Sequence, residues 1–365
     1  MRPTIDPERC GSYPHPLLGP FLGRRRIVFN GRMRVERVDP RDLDLRTADA
    51  IADLVTASDA AAGLPFPKRT GAACLLSRQL QTDCHPVDAL FLAYDDDRLV
   101  GEVCVELPWR DNTDMSVIRG QVHPEARGRG IGTALKDEAL RVTEERGRKR
   151  LHVGAYVGSD GVSVLDHWGL TRTGVNAIRR LDLHAAPGGL WNRLHDEALA
   201  EAGDYELVRQ VGSTPPERYA DLVLLHDAIN DAPSSDAAIE PDAWNEARLA
   251  DYEQAMAGRR QTLYRVMARH RETGQWAGQS LLCVDEFSPS TAFQEDTSVV
   301  RAHRGHRLGL LMKAEMLRWI SVARPEVAAI DTWNAVSNHH MIAINERLGA
   351  TVVAVHQSYR GDLAE

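Results

Sequence analysis

The sequence predicts two tandem domains of one α/β fold, each a mixed, mostly antiparallel sheet flanked by helices. Three observations lead to this prediction. The 365-residue chain is long enough for about two domains of ordinary size. Its two halves share a sequence repeat. Each half also alternates strand-like and helix-like segments in the same order.

The repeat consists of three pairs of segments that occur in the same order. LVGEVCVEL around Gly101 matches WAGQSLLCV around Gly278, and residues 122–136 match residues 299–313 at the same offset. DHWGLTRTG and NERLGATVV then match at a slightly larger offset, which one loop insertion explains. A single match could arise by chance, but an ordered series indicates duplication of a whole domain.

Within each half the predicted elements follow one order. An N-terminal strand (34–38 and 205–211) precedes helices and a hairpin-like strand pair. A further strand ends in a glycine-rich turn before a long helix, whose apolar residues recur at helical spacing over 132–146 and 308–322. A short apolar strand (RLHVGAY or VAAIDTW), a short helix, a glycine turn and a closing strand (AIRRLDL or HQSYRGDL) complete each half.

Composition shifts place the domain boundaries. The first residues are rich in Pro, Gly and Arg and lack a hydrophobic period, and a Pro-Gly-Gly turn followed by a helical run separates the two repeats. The predicted parts are an irregular extension (1–32), a first domain (33–184), a connector (185–203) and a second domain (204–365). The basic triplet from Arg24 to Arg26 is interpreted as a solvated tail rather than an anion-binding patch.

Composition excludes several classes of protein. Lys and Arg total 44 against 52 Asp and Glu, and this formal net charge of -8 disfavours binding to nucleic acid or to an anionic membrane. The five cysteines form no C-x-x-C pair and are odd in number, which argues against a disulfide framework and a zinc site. Because no apolar run suits a membrane span or a signal peptide, we expect a cytoplasmic protein.

The segment RGRGIG at 127–132 follows a predicted strand and opens a helix. Backbone N–H groups converge at a helix N-terminus, and glycines let a phosphate approach them. The segment therefore predicts a pyrophosphate-binding loop, to which Arg127 or Arg129 adds a cation. A simple tight turn is the alternative. A dinucleotide-binding fold would place the loop after its first strand, and a P-loop would end in G-K-[ST]; the sequence fits neither pattern.

With Arg127, Gly130 and Gly132 in the pattern Q/R-x-x-G-x-G/A, the sequence resembles the GNAT superfamily of acyl-CoA-dependent N-acetyltransferases. The resemblance covers about 34–183 and again about 205–363. With this double coverage the chain is similar to the tandem GNAT form of actinobacterial type. The resemblance implies that acetyl-CoA is a co-substrate, held in part by backbone groups of the strand before the loop. The implied first cofactor site comprises Gln121, Val122, Arg127, Gly128, Arg129, Gly130, Ile131, Gly132 and Thr133.

The second repeat departs from this pattern, because Arg307 stands where the central glycine belongs. Its side chain could point outward and assist the phosphates, or fill the loop and block it; both alternatives stay open. The implied second cofactor site comprises Val299, Arg304, Gly305, His306, Arg307, Leu308, Gly309 and Asn334.

An acceptor ammonium must lose a proton before it attacks a thioester, so a carboxylate should lie close to the reacting atoms. Glu295 and Asp296 lie on the strand that leads into the second loop, with Asp331 on the next strand. Strand alternation predicts that only one member of the adjacent pair faces the substrate. The alternative for each is an ordinary solvent-facing charge.

The run TWNAVSNHHMIAINERLG is the second candidate feature of this half, and similar asparagine runs in tandem GNAT proteins lie beside CoA or substrate. Asn338 and Asn345 are therefore candidate catalytic residues, with helix capping by Asn334 or Asn338 as the alternative. The tyrosine that serves many family members as an acid is replaced by Leu165 in the first half and by Asn345 in the second.

Other groups would then have to replace that acid or supply a base. Tyr359 is a possible substitute for the missing tyrosine. The corresponding strand of the first half contains no carboxylate, with Glu106, Asp111 and Asp114 nearest. Gln121 or His123 could orient a water there, although a histidine before Pro124 is more typical of a turn.

The predicted function is transfer of an acetyl group from acetyl-CoA to a primary amine of a small molecule by direct attack, with the chemistry in the second half. A catalytically degenerate acyl-CoA-binding or sensor protein is the alternative. Loops such as 60–68 and 231–240 would set the acceptor. We expect no metal, no nucleic-acid or membrane partner, and a monomer or homodimer.

Overall fold

A computed structural model describes residues 26–29, 32–80, 87–185, 187–233 and 239–363 of the chain. The strands of these ranges are β1 (Arg26–Phe29), β2 (Met33–Val38), β3 (Val87–Asp95), β4 (Arg98–Glu106), β5 (Met115–Val122), β6 (Arg150–Tyr156), β7 (Thr171–Asp182), β8 (Tyr205–Val211), β9 (Gln261–His270), β10 (Trp276–Asp285), β11 (Thr291–Val299), β12 (Ala329–Ala335) and β13 (Thr351–Asp362). The helices are α1 (Leu45–Ala61), α2 (Gly71–Gln79), α3 (Ile131–Glu145), α4 (Asp160–His167), α5 (Leu190–Glu201), α6 (Tyr219–Asp227), α7 (Glu246–Gly258), α8 (Leu308–Ala323) and α9 (His339–Arg347).

The chain divides into two structural units. The first unit comprises Met1–Ser58, Arg69–Leu151 and Leu363–Glu365, and the second comprises Asp59–Lys68 and His152–Asp362. This division follows proximity in space and differs from the boundaries of the sequence repeats, which remain a prediction about domain organisation.

The first unit contains the antiparallel sheet β1-β2-β3-β4-β5. Alternation along β3 explains how helices cover both of its faces, because side chains of a strand point alternately to opposite sides. Leu90 and Leu92 pack with Ile51 of α1, whereas Phe91 packs with Leu135 of α3. Each such fully buried side chain contributes about 1.5–3 kcal/mol of hydrophobic stabilisation.

The second unit contains the strand order β6-β13-β7-β12-β11-β10-β9-β8. Strands of the two sequence repeats are interleaved at its start, since β7 of the first repeat pairs antiparallel with both β12 and β13 of the second. β11 and β12 pair in parallel, and the pairs from β11 to β8 are antiparallel. The sheet is therefore mixed and mostly antiparallel, as predicted for the fold class.

Helices cover one face of the β8–β12 part of this sheet and mainly the β8–β10 part of its other face. A large apolar core that includes Leu194 of α5 and Leu311 of α8 covers one face, called here the α8 face. Smaller cores that include Leu225 of α6 and Leu249 and Met256 of α7 cover the other, called here the α7 face. Each candidate residue of the second repeat can therefore be assigned to one of two faces.

The predicted long helices and the connector helix are present as α3, α8 and α5. Within the segment predicted as an irregular extension, however, Arg26–Phe29 form a strand that pairs with β2. The β-branched and aromatic run RIVF suits a strand, and this signal outweighs the loop-like composition before it. Residues 1–25, which include Arg24 and Arg25, lie outside the described part of the chain.

Candidate functional site

The first glycine-rich loop joins β5 to α3 through a short 3-10 helix (Pro124–Ala126). Gly128 and Gly130 have left-handed backbones, with φ of 73° and 81°. A Cβ atom on either would meet no heavy atom within 4 Å, so the space beside the loop is open. Because α3 begins without a side-chain cap or an acidic residue in its first turn, this N-terminus suits an anion.

The arginines of this loop have protein partners. Arg127 donates from Nε to the Val122 carbonyl at 3.2 Å and from its guanidinium to the Ser58 hydroxyl at 3.3 Å. Arg129 pairs with Asp95 at 2.8 Å. These contacts fasten the loop to neighbouring elements. Direct binding of phosphate by either arginine, which the motif predicted, would have to compete with them.

The second loop keeps the same backbone path despite its different residues. Gly305 has a φ of 89°, and Arg307 a left-handed φ of 54° where the first loop has Gly130. Arg304 donates from Nε to the Val299 carbonyl at 3.1 Å, which repeats the contact of Arg127 with Val122. The first arginine of each motif therefore closes the turn at the end of its strand.

The side chain of Arg307 points away from the loop toward α5. Its guanidinium contacts the Glu197 carboxylate and pairs with Glu201 at 2.9 Å. Of the two alternatives left open by the sequence, filling of the loop is not observed. α8 begins without a side-chain cap or an acidic first turn, so the second helix N-terminus also suits an anion.

β11 contains a β-bulge next to the predicted catalytic acids. Thr297 pairs with Ser280 and Gln294 pairs with Leu282, so three steps along β11 face two along β10. The extra residue lies at Glu295–Asp296, where the regular alternation of side chains is interrupted. The Gln294 side chain supports this irregular backbone, because its Nε2 donates to the Leu281 carbonyl at 2.5 Å.

The bulge directs both acids to the same face. Before it, Ala292 belongs to the core of the α8 face, so Glu295 points to the α7 face. After it, the Ser298 hydroxyl donates to a carbonyl of α6, so Ser298 and Asp296 also point to the α7 face. The prediction that only one of the two acids faces the substrate side is therefore wrong, because it assumed an unbroken strand.

Burial perturbs both carboxyl groups. It raises the pKa of Glu295 to about 7, with a further increase from the Asp296 charge and an opposing effect of Arg259. It also raises the pKa of Asp296 to about 6, to which Asp242 contributes. Both side chains keep partial solvent contact, so they do not lie in a closed core. A carboxylate with a pKa near 7 suits proton abstraction at neutral pH.

A notch opens between β11 and β12 at the same level. Their parallel pairing runs from Thr291 with Ala329 to Gln294 with Thr332. Both strands continue beyond that point, but no pairing is observed between those parts, which lie within the described ranges. Backbone groups along the second half of β11 consequently face the notch, which leads toward the glycine loop and α8.

The asparagines lie on the other side of this notch. Asn334 follows Ile330 by four positions on β12, so the two side chains point to the same side of the sheet. Because Ile330 belongs to the core of the α8 face, Asn334 lies on that face. Asn345 of α9 is buried and donates from Nδ2 to Asn334 Oδ1 at 2.7 Å. Asn338 caps α9 by accepting from the Met341 N–H at 3.2 Å, so the capping alternative is correct for this residue.

The first repeat lacks the acidic bulge. β4 and β5 pair without a register shift, and Arg119, opposite Cys104, occupies the place of Glu295–Asp296. Arg119 pairs with Glu106 at 2.9 Å. The other sequence candidates there are engaged as well. Gln121 donates to Glu102 at 2.7 Å, Asp114 pairs with Arg150 at 2.7 Å, and His123 accepts from the Glu125 N–H at 3.3 Å as a turn residue.

Two further candidates in the second unit have structural partners. Asp331 forms a bidentate pair with Arg180 at 2.7 Å. Tyr359 is fully buried and donates to Asp166 at 3.0 Å, so its hydroxyl does not reach the notch. Within the described residues, no cluster of His, Cys, Asp or Glu suits a metal ion, and no helix is long and apolar enough to cross a membrane.

Comparison with known proteins agrees with this architecture. Residues 62–161 match the model of the acetyltransferase (GNAT) family. A tandem GNAT protein from the clavulanic acid biosynthesis pathway, solved without acetyl-CoA, is 24% identical with a TM-score of 0.75, covering 91% of this chain and 99% of its own. A GCN5-related N-acetyltransferase from Sphaerobacter thermophilus is 15% identical with a TM-score of 0.63, covering 92% and 97%. No curated protein matches the sequence.

These similarities show the fold. The chain has a tandem GNAT fold over nearly its whole length, as the sequence resemblance predicted. The matched family model is one of acetyltransferases, so acyl transfer is the general chemistry that it supports.

Some residues near the two acids were missed by sequence reasoning. Tyr252 of α7 borders both acids, since burial and then the Glu295 and Asp296 charges raise its pKa. Arg259 and Asp242 also act on the acids. These three residues come from segments distant in sequence, and no local motif marks them.

Proposed function

We propose that the second repeat transfers an acetyl group from acetyl-CoA to a primary amine of a small molecule. The proposal rests on one observation above all: the β11 bulge brings Glu295 and Asp296 together where β11 and β12 part. This arrangement gives the acceptor a basic carboxylate on the α7 face. The helix N-terminus that suits an anion begins beyond the end of the same strand.

In this proposal Glu295 is the base. Its carboxylate accepts a proton from the acceptor ammonium, directly or through a water, and leaves a neutral amine. The amine nitrogen then bonds to the thioester carbonyl carbon while the carbon–sulfur bond breaks, and the proton that the nitrogen loses on becoming an amide passes to the departing sulfur, so that CoA leaves as the free thiol. Asp296 has a positioning role, because its charge helps to keep the pKa of Glu295 near neutrality.

Backbone and amide groups would hold the acyl donor. The N–H groups at the start of α8 are suited to its pyrophosphate, as helix N-termini are in general. The unpaired edge of β11 suits its extended arm, and Asn334 with Asn345 borders the notch from the α8 face. We further propose that the first loop binds a second acyl-CoA, because it has the open space beside Gly128 and Gly130.

The test is turnover by the purified protein. Acetyl-CoA should be consumed with an amine panel that includes aminoglycosides, amino acids, polyamines and arylalkylamines, with release of free thiol. The ratio kcat/KM should rise with pH to a plateau above about 7, because Glu295 must be ionised. Absence of turnover across the panel, with the protein folded and binding CoA, would contradict the proposal.

A second candidate is an acyl-CoA sensor without catalysis. It is favoured by the missing acid, since Leu165 and Asn345 occupy the tyrosine positions of the family pattern and Tyr359 is buried. A sensor would bind CoA thioesters in calorimetry and leave them intact with every amine. The raised pKa of Glu295 favours the enzyme, because a sensor has no use for a basic carboxylate at the notch.

A further inference from the structure

Two exposed aromatic rings flank the proposed reaction site. Among the large apolar side chains that the described ranges expose, only Phe293 and Trp333 are aromatic, with exposed fractions of 38% and 37%. Phe293 lies on β11 two residues before Glu295, and Trp333 lies on β12 just beyond the end of its pairing with β11. Apolar side chains exposed together beside a candidate site can mark a binding surface, whereas single ones are ordinary.

Both rings lie on the face of the two acids. Phe293 pairs with Asp331, and paired residues of adjacent strands point to the same side of a sheet. Glu295 follows Phe293 by two positions and Trp333 follows Asp331 by two positions, so Glu295 and Trp333 point to the same side as Phe293 and Asp331. Because Ile330 and Ala292 belong to the opposite core, this side is the α7 face.

Trp333 begins a continuous series of rings in the second unit. Its ring centroid lies 5.0 Å from that of His356, which lies 5.2 Å from Tyr156, which lies 5.3 Å from Phe66. These distances are typical of favourable aromatic contacts. Phe293 together with these four rings is called the aromatic surface below.

Glycine at position 154 allows this series to form. A Cβ atom on Gly154 would lie 2.1 Å from Cε1 of His356 and 2.9 Å from the Gln357 carbonyl oxygen. The imidazole therefore lies directly against the backbone of β6, between Tyr156 and Trp333. Segment 59–68, which carries Phe66, is held on this face by a 2.7 Å hydrogen bond from Arg180 to the Pro65 carbonyl.

Three carboxylates and Arg259 lie close to the aromatic surface. Glu295 and Asp296 lie on the same face of the sheet and form no ion pair within the described residues, whereas the nearby Asp331 is neutralised by Arg180. Carboxylates attract an ammonium group, and aromatic faces attract both apolar groups and cations. A hydroxyl-rich amine would instead need several polar partners.

We infer that the acceptor is an amine joined to an aromatic or other flat apolar body, as in an arylalkylamine. Its ring packs on Trp333 and Phe293 while its amine meets Glu295. Trp333 is then the residue that selects this class over amino sugars and polyamines. This inference rests on the proposed function for its catalytic consequence, but binding of the acceptor can be tested without turnover.

The experiment compares 2-phenylethylamine, spermidine and glucosamine. For the wild-type chain, kcat/KM with 2-phenylethylamine should exceed that with the other two by at least about 10-fold, in line with about 1.4 kcal/mol from one ring contact. Trp333→Ala should remove that preference, and Trp333→Phe should restore most of it. Affinity for 2-phenylethylamine, measured by calorimetry with CoA present, should fall in parallel in Trp333→Ala.

Val352→Ala provides the control. Val352 is exposed like Trp333, but it pairs with Arg179 and so lies on the opposite side of the sheet from Arg180. It should leave both measurements unchanged. Because Trp333→Phe keeps a ring in place, it separates loss of the contact from loss of folding.

The outcomes distinguish the two proposals. Turnover that is equal for all three amines, or 2-phenylethylamine affinity unchanged in folded Trp333→Ala, overturns the aromatic acceptor and leaves acetyl transfer standing. Binding of 2-phenylethylamine that depends on Trp333, without turnover of any amine, overturns acetyl transfer and supports the aromatic surface as an amine site. Failure of the wild type to bind 2-phenylethylamine at millimolar concentration overturns the inference.

Discussion

The raised pKa of Glu295 has a consequence for stability that can be measured before any substrate is identified. Glu295→Gln keeps the size of the side chain and removes its ionisation. The pKa of this carboxyl rises from an ordinary value of 4.5 to about 7 in the folded chain. The folded state therefore retains a proton that the unfolded state releases, and folding becomes less favourable as pH rises between these values.

The magnitude follows from this difference. Each pH unit between folded and unfolded pKa values corresponds to about 1.4 kcal/mol. The resulting destabilisation of the folded chain is therefore at most about 3 kcal/mol and is fully present above pH 7. Only about 1 kcal/mol of this destabilisation is present at pH 5. The free energy of unfolding of Glu295→Gln minus that of wild type should therefore increase by about 2 kcal/mol between pH 5 and pH 8.5.

The assay is urea unfolding of wild type and variant across this pH range. Glu272→Gln is the matched control, because Glu272 is solvent-exposed in the turn between β9 and β10. Its difference from wild type should stay nearly constant with pH. An equally flat difference for Glu295→Gln would mean that the folded chain does not hold this proton and that the pKa of Glu295 is not raised.

Three further variants test the first glycine loop, the coupling between the two acids and the packing at Gly154. Gly130→Asp should weaken CoA binding to the first loop at least about 10-fold, because it places a carboxylate beside the pyrophosphate site. Gly130→Asn carries a similar backbone strain without the charge and should weaken CoA binding less. Equal calorimetric affinities for wild type and Gly130→Asp would contradict the assignment of this loop to CoA. Asp296→Asn should move the rise of kcat/KM to lower pH, because the Asp296 charge helps to raise the pKa of Glu295, and an unmoved profile would exclude this coupling. Gly154→Ala should lower the free energy of unfolding by about 1–3 kcal/mol, because the new Cβ would lie 2.1 Å from His356. Gly188→Ala is the control, because a Cβ there meets nothing within 4 Å, and its free energy of unfolding should stay within about 0.5 kcal/mol of wild type. Similar urea midpoints for these two variants would disprove the predicted clash.

Local features of the fold were predictable from sequence because they depend on neighbouring residues. The period of α3 and α8, the glycine loops and the connector helix all follow from patterns within short windows. The repeat predicted that the loop of the second half would resemble the first, and the left-handed backbone of Arg307 agrees with this. The interleaving of β7 with β12 and β13 depends on long-range pairing, which sequence periodicity does not encode.

In the candidate site, too, local features were predictable from sequence and features that depend on long-range strand pairing were not. Glu295 and Asp296 were found from their position before the second loop, but their shared face depends on a register shift against β10. A one-residue change of register reverses the face of every later side chain. The capping role of Asn338 follows from the start of α9 at the next residue, a boundary that sequence places only to within a few residues.

The proposal that the second repeat performs the chemistry with Glu295 as base is tested by kcat of acetyl transfer in Glu295→Gln. Loss of a general base typically costs about 10²- to 10⁴-fold, so we expect a fall of that size in a folded variant. Glu106→Gln, which changes the carboxylate nearest the corresponding position in the first repeat, should stay within a few-fold of wild type. Full turnover by Glu295→Gln, together with its abolition by Arg127→Ala combined with Gly130→Asp, would contradict the claim and assign the reaction to the first repeat.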